Sequence, residues 1–418
     1  MSQAMKDSNC EWIGDIPQSW NLTNIGNIYD ARNVKVSDLE YEPLSVTMDG
    51  IVPQLASVVR SDDRYNRKLV KKGDFVINSR SDRRGAYGIA PQDGSCSLIN
   101  IVLQPHMVEN IEYYNYMLCS KFFPDEFYRW GNGIVADLWT TRWDSMKRIP
   151  LPEPSEREKR RIICFLNEKC KKIDAVISKT IDSIGGYKKL REGIITEVIT
   201  NGLKKDRVRI QSGIKWYGEI PLDWKVIKLR RVFHIKKVIA GRAGLTVLSV
   251  TQRGIVPKDI SKNEGQMATD YSNYQMLNIG EFVMNHMDLL TGWVDVSKYN
   301  GVTSPDYRVF MLNDESISNS RYYLYMFQMC YFNKIFYSLG QGVSEFGRWR
   351  LQADKFLDFQ VLVPSYEEQC EIADYLDTRI KEIDLLIMAK EKLVLELQEY
   401  KKMLIYEYAT GKKEVPQE

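Results

Sequence analysis

Histidine is nearly absent from this chain: His106, His234 and His286 are the only three in 418 residues. They neither cluster nor stand at HExxH spacing, which argues against a histidine-ligated metal centre. Seven cysteines (Cys10, Cys96, Cys119, Cys164, Cys170, Cys330 and Cys370) form no CxxC pair. An odd, scattered set reads as a reduced, intracellular protein without structural zinc. There is no GxxxxGK[ST] loop for a nucleotide phosphate and no GxGxxG turn after a strand. An Asn/Asp-Pro-Pro-aromatic tetrapeptide is missing too, and with it the active site of an amino-methyltransferase. Asp223-x-Lys225 and Glu399-x-Lys401 have the acid-x-Lys spacing of a metal-dependent nuclease. The first has no counterpart at Ser19-Trp20-Asn21, and the second falls on a helix with a coiled-coil pattern. No stretch approaches the ~18 apolar residues of a membrane span, and Met1 to Cys10 lack an apolar signal core. These absences point to a cytoplasmic protein, without membrane contact and without a catalytic or metal site of its own.

What is present is ordinary in bulk and unusual in order. Apolar residues make up 44% and charged residues 27%, as in a soluble globular protein. The net charge is only +3, so any anion-binding surface must be local. A chain of 418 residues outgrows a single core, which predicts two domains and connectors. The order is a duplication. Trp12-Ile-Gly-Asp-Ile16-Pro17 with Trp20 returns as Trp216-Tyr-Gly-Glu-Ile220-Pro221 with Trp224. Ser45-Val-Thr47 and Gly50-Ile-Val-Pro53 return as Ser249-Val-Thr251 and Gly254-Ile-Val-Pro257, again 204 residues on. Gly73-Asp-Phe-Val76 matches Gly280-Glu-Phe-Val283, and Gly131-x-Gly133 matches Gly340-x-Gly342. A period this long is a duplicated domain pair, not a solenoid of short units.

Each half changes texture partway. From Trp12 to Pro152 short β-branched runs such as Phe75–Asn78 and Ser97–Leu103 predict strands, with one helix around Glu112–Phe122. Pro150, Pro152 and Pro154 then break the chain, and residues 153–203 turn charged and helical. Ser155 with Glu158 is a capping box, and Asn201-Gly202 is a stop. Residues 204–215 read as a polar linker. The second half repeats the order, with a β-rich domain over 216–363 and a helix over 364–411 that opens at Ser365 and Glu368. The fold class expected is α+β: two tandem mixed α/β domains, each followed by a long helix.

Both helices carry a heptad seam. In the first, Leu166, Cys170, Ile173, Ile177, Ile184, Ile194 and Val198 fall on it. In the second, Leu376, Ile380, Ile383, Ile387, Val394, Leu397 and Leu404 do so. Two such seams in one chain pair most simply with each other as a coiled coil. Gly185-Gly186 predicts a kink, since each glycine costs about 1 kcal/mol against alanine.

The remaining signal is basic and polar residues placed to meet nucleic acid. Between Arg60 and Arg84 nine positive residues, Arg64 among them, stand against four acidic ones. Asn78-Ser79-Arg80-Ser-Asp-Arg83-Arg84 follows a strand and combines the residue types that read phosphates and base edges. Asn285-His286-Met-Asp288 occupies the equivalent place in the second half with different chemistry. A second paired site follows the glycine turns: Trp139, Arg142 and Trp143 in one half, Ser344, Arg348, Trp349 and Arg350 in the other.

Domain, proline break, long helix opening near Pro-Ser-x-x-Glu, and the same again: this order resembles the specificity subunit of type I restriction-modification enzymes, from Trp12 to Gly411. The resemblance rests on the two Trp-x-Gly-x-Ile-Pro-x-x-Trp motifs, Pro364-Ser-x-x-Glu-Gln369 and the Ala409-Thr-Gly411 helix end. In the first half Glu158-Lys159 replaces Glu-Gln, and Thr200-Asn-Gly202 replaces Thr-Gly. It implies a non-catalytic subunit of a prokaryotic complex, whose two target-recognition domains each read one half of an interrupted, asymmetric site on double-stranded DNA. It implies an antiparallel helix pair that sets the gap and docks two methyltransferase subunits. It leaves this chain without a cofactor: S-adenosylmethionine belongs to those partners, and ATP and Mg to restriction/translocase subunits. The alternative from a different class is a coiled-coil adaptor that joins partners without reading DNA.

Overall fold

The computed structural model describes residues 4–48, 50–54, 64–80, 84–133, 139–259, 270–341 and 349–416. The chain forms two compact units, Met1–Ile181 with Glu391–Glu418, and Asp182–Lys390. Each is mixed α/β, and each is best followed from its central antiparallel sheet.

In the first unit Phe75–Asn78 lies between Tyr87–Ile89 and Asn100–Pro105, with Tyr29–Ala31 beyond. In the second, Phe282–Met284 lies between Val294–Val296 and Arg308–Leu312, with Phe233–Lys236 beyond. Phe75 pairs with Leu103, and Phe282 with Phe310, so the two sheets share one register. Side chains alternate across a strand, and this sheet is covered on both faces. Phe75 and Ile77 enter a core with Tyr113, Met117, Phe123 and Leu166. Val76 and Val102 enter another with Leu44, Ile51 and Val70. The second unit divides in the same way, Phe282 and Met284 toward Tyr323, Phe327 and Leu376, Val283 and Val309 toward Leu248 and Ile255. Each such side chain contributes about 2 kcal/mol by burial. The repeated Ser-Val-Thr and Gly-Ile-Val-Pro segments are the two arms of a hairpin in each unit, Leu44–Thr47 with Gly50–Pro53 and Leu248–Thr251 with Gly254–Pro257.

Local chemistry refines several expectations. The helix expected over Glu112–Phe122 is Ile111–Leu118, and a second, Phe123–Arg129, follows it with Pro124 in its first turn, where proline is tolerated. The strand expected over Ser97–Leu103 is Asn100–Pro105; a turn closed by Asn100 N–H on Ser97 O precedes it. The polar stretch 204–215 holds a strand, Arg209–Gln211, that pairs with Glu219–Pro221 as Met5–Asp7 pairs with Asp15–Pro17.

The long helices are Glu156–Asn201 and Tyr366–Ala409. The first runs as one continuous helix through Gly185-Gly186. Leu166, Ile184, Leu376, Ile380, Ile383, Ile387 and Leu404 are buried, and Ile173, Ile177, Ile194, Val394 and Leu397 half-buried. In the first unit the helices meet at Asp174–Lys401 (2.7 Å) and at Phe165 against Tyr408, with centroids 4.4 Å apart. In the second they meet at Arg191–Asp384 (3.1 Å) and where Lys390 lies over the Tyr187 ring.

The duplicated motifs converge on one junction per unit. Trp20 Nε1 donates to Glu158 Oε1 (3.0 Å), and Trp224 Nε1 to Glu368 Oε2 (3.1 Å). Glu158 also closes the full capping box, receiving Ser155 N–H and the Ser155 hydroxyl. Burial works against its charge, but the bonds from Ser155 and Trp20 hold its carboxyl below the usual range. Glu368 spends its carboxylate instead on Arg207 (2.6 Å), so the second box is half made, by Glu368 N–H on Ser365 Oγ. A helix end completes each junction. Gly411 packs on Pro17 and Trp20, Gly202 on Trp224, both at positive φ, where a Cβ would be strained and would clash. Lys159, fully buried, is neutralised by Glu153 (2.5 Å) and Glu156 (2.8 Å), whereas its counterpart Gln369 bonds to Pro364 O and Asn319 N–H. We expect Glu368→Leu, which leaves Arg207 only the exposed Asp223 and strands the Trp224 N–H, to cost about 3 kcal/mol in urea unfolding. Trp20→Phe, which removes one hydrogen bond, should cost about 1 kcal/mol; equal midpoints for the two variants would contradict this account of the junction.

Candidate nucleic-acid interface

Each unit brings its two polar segments together at one edge of the central sheet. In the first, the strand ends at Asn78, and Thr141 N–H donates to Ser79 O (2.9 Å) while Arg80 bridges Thr140. In the second, Leu351 N–H donates to His286 O (3.0 Å). The two contacts are equivalent, and they join the segment after the strand to the segment after the glycine turn. The side chains around them differ between the units.

Asn78 and Ser79 are buried. Asn78 Oδ1 accepts Arg80 N–H (2.9 Å) and Ser79 donates to Ile99 O, so both shape the turn. Arg64, Arg80 and Arg142 are exposed. Arg84 lies over the Tyr128 ring (4.6 Å) and bonds Asp125 (2.5 Å), a pairing the sequence did not suggest. Of the other basic residues counted, Arg67 bonds Ser95, Lys68 bonds Asn100 O and Lys71 pairs with Asp93. The free positive surface is therefore narrower than the count of nine implied. Arg60, Arg83, Ser344 and Arg348 lie outside the described residues.

In the second unit Asn285, His286 and Asp288 are half-buried and Arg350 is exposed. Asp288 accepts N–H groups from Leu290 (3.0 Å) and Thr291 (2.9 Å) and the Thr291 hydroxyl. Burial raises its pKa, but those bonds outweigh it and leave the carboxyl below its ordinary range. The residue missed by sequence reading is Arg308. It is buried in its strand, its guanidinium donating to Leu351 O (2.8 Å) and lying over the Phe356 ring. Burial lowers its pKa to about 10, so it stays charged at neutral pH. An arginine opening the otherwise apolar run Arg308-Val-Phe-Met-Leu312 was the available signal.

The two acid-x-Lys pairs are engaged elsewhere: Asp223 with Arg207, Glu399 with Lys402, and Lys401 with Asp174. Among the described residues no group of three or more His, Cys, Asp or Glu side chains could hold a metal ion. Among them, too, no helix is long and apolar enough to cross a membrane.

His286 sits beside two arginines. Burial first, then Arg308 and Arg350, push its pKa from 6.5 to about 3, and its Nδ1 has no partner among the described residues. The unfolded chain takes up this proton near its ordinary pKa and the folded chain only near 3, so stability is full above about pH 6.5 and drains as pH falls below it. We expect His286→Gln to flatten that loss, read as urea midpoints at about pH 7.5 and about pH 5; parallel losses in both proteins would contradict it.

Residues 221–396 match the family model of the Type I restriction modification DNA specificity domain. Among curated proteins the chain is similar to the Type I restriction enzyme MjaVIII specificity subunit of Methanocaldococcus jannaschii, 24% identical over 284 residues. That alignment covers 64% of this chain and 62% of the relative, so the chain spans under two thirds of the curated relative's length. Among solved structures, a chain from a study of complex assembly and conformational transition of the type I R-M system matches with TM-score 0.60 and 12% identity. The match covers 94% of this chain and 98% of the other, a likeness of fold. The stretch that matches this specificity domain lies in the second half of the chain, and the first unit repeats its framework.

Proposed function

We propose that the chain is the DNA-reading specificity subunit of a type I restriction-modification complex, acting in the cytoplasm. Each unit reads one half of a bipartite site on double-stranded DNA. The observation that carries this reading is the paired edge: one framework contact in both units, Thr141 to Ser79 and Leu351 to His286, surrounded by different side chains. Equal frameworks with unequal contents read unequal half-sites, so the target is interrupted and not a palindrome. Exposed Arg64, Arg80 and Arg142 serve phosphates and base edges in the first unit. Asn285 and Arg350 serve them in the second.

The long helices pair, on this reading, as one antiparallel coiled coil that sets the gap. In support, residue numbers fall on one helix as they rise on the other, from Phe165 with Tyr408 and Asp174 with Lys401 to Tyr187 with Lys390 and Arg191 with Asp384. Two methyltransferase subunits dock on this coiled coil and bring S-adenosylmethionine. Restriction/translocase subunits bring ATP and Mg. Catalysis belongs to those partners, and this chain contributes recognition.

The test is selection of bound duplexes from a random-sequence pool by the chain assembled with its methyltransferase partners. We expect a two-part motif, and Arg80→Ala to lose about 1–3 kcal/mol of discrimination in one half only. Affinity should fall steeply with salt, as phosphate contacts demand. Weak, salt-insensitive association without a motif would support the adaptor reading instead.

A further inference from the structure

At the same place in each unit a tyrosine, a glycine and a tryptophan close on one another. Trp139 Nε1 donates to Tyr128 O (2.9 Å), and Gly131 N–H donates to the same carbonyl (3.0 Å). Trp349 Nε1 donates to Tyr337 O (2.6 Å), and Gly340 N–H to that carbonyl (3.2 Å). The Tyr128 and Trp139 rings lie 5.9 Å apart at 34°, those of Tyr337 and Trp349 5.6 Å apart at 33°. Both glycines are required by closeness, since a Cβ on either would overlap the indole at Nε1 and Cδ1. The glycine turns and the tryptophans stand out in the sequence, but the tyrosine carbonyls that join them do not, and the function just proposed does not use this joint.

The next residues pinch the chain. Asn132 and Thr140 exchange two backbone hydrogen bonds (3.1 Å each), and Gln341 and Arg350 do the same (2.8 and 3.0 Å). One residue further on come the contacts of Thr141 with Ser79 and of Leu351 with His286. A single bridged pair is worth about 1 kcal/mol per hydrogen bond, too little to hold two loops in fixed relation. The tilted ring pair and the indole hydrogen bond beside it supply the missing rigidity. What hangs on this identical clamp is not identical: Thr140 stands where the second unit has Arg350, Ser79 where it has His286, Asn132 where it has Gln341.

We propose that Trp139 and Trp349 are positioning residues for half-site reading, each holding the two polar segments of its unit in one surface through the clamp on Tyr128 or Tyr337. This rests on the DNA-reading function proposed above. The tryptophans act through the loops they hold, so their loss blurs recognition without removing a phosphate contact. A shift of a few tenths of an ångström to an ångström at a bidentate base contact is enough to lose it.

The test compares the full chain, assembled with its methyltransferase partners, with Gly340→Ala and Trp349→Phe in selection from random-sequence duplexes. Gly340→Ala drives the indole off the tyrosine; Trp349→Phe keeps a ring and removes only the N–H bond, so it serves if the first variant fails to fold. Gly185→Ala, with open space around it, is the matched control. We expect preference for the right bases in one half of the motif to fall about tenfold, at the lower end of a lost base contact. The other half and the salt slope should stay as in the parent. Trp139→Phe should blur the opposite half. Unchanged preference in folded variants, or equal blurring of both halves, overturns the proposal. A parent chain that selects no two-part motif overturns the DNA-reading function itself, a result distinct from either.

Discussion

The interaction on which the rest depends is the bond between a tryptophan indole and the glutamate that opens a long helix, Trp20 to Glu158 and Trp224 to Glu368. It joins the start of a globular domain to the start of a helix 138 or 144 residues later in the chain. A glycine at a helix end packs against the same indole, Gly411 in one unit and Gly202 in the other. In each unit, therefore, a domain, a helix beginning and a helix end meet around one polar bond, part-buried in the first unit and buried in the second. In the second unit the bond is costly to break because its glutamate is shielded from water and also satisfies Arg207.

On the function proposed above, that construction lets one protein carry two specificities. The sheet register, the hairpin and the junction repeat from unit to unit, so the edge of each sheet offers the same geometry. Charges added there need not alter the core. Arg308 marks the limit of this freedom: it enters the second sheet where the first has Ile101, and it reaches the edge by bonding Leu351 O. The second unit thus carries a buried positive charge beside a neutral His286, an electrostatic setting the first unit lacks.

The frame was largely legible because it is written twice. The strand Phe75–Asn78, the Ser155–Glu158 box and the helix stop at Gly202 follow from local pattern and recur 207 to 210 residues on. The site was less legible, because side-chain type says what a residue could bind and not what already binds it. Asn78 and Asp288 have the chemistry of base readers, yet both are occupied by their own turns. Arg84 has the chemistry of a phosphate contact, yet Tyr128 and Asp125 hold it. Arg308 escaped notice for the opposite reason, since charge inside a strand is judged only when the strand's neighbours are known.

The central claim is that two unlike reading edges on one duplicated frame select one interrupted DNA sequence. Mapping of methylated adenines across the genome, in cells with and without this gene beside its methyltransferase partner, tests it most directly. The account predicts a two-part motif with unlike halves that vanishes when the gene is deleted. A palindromic motif, or a methylation pattern that the deletion leaves intact, would contradict it.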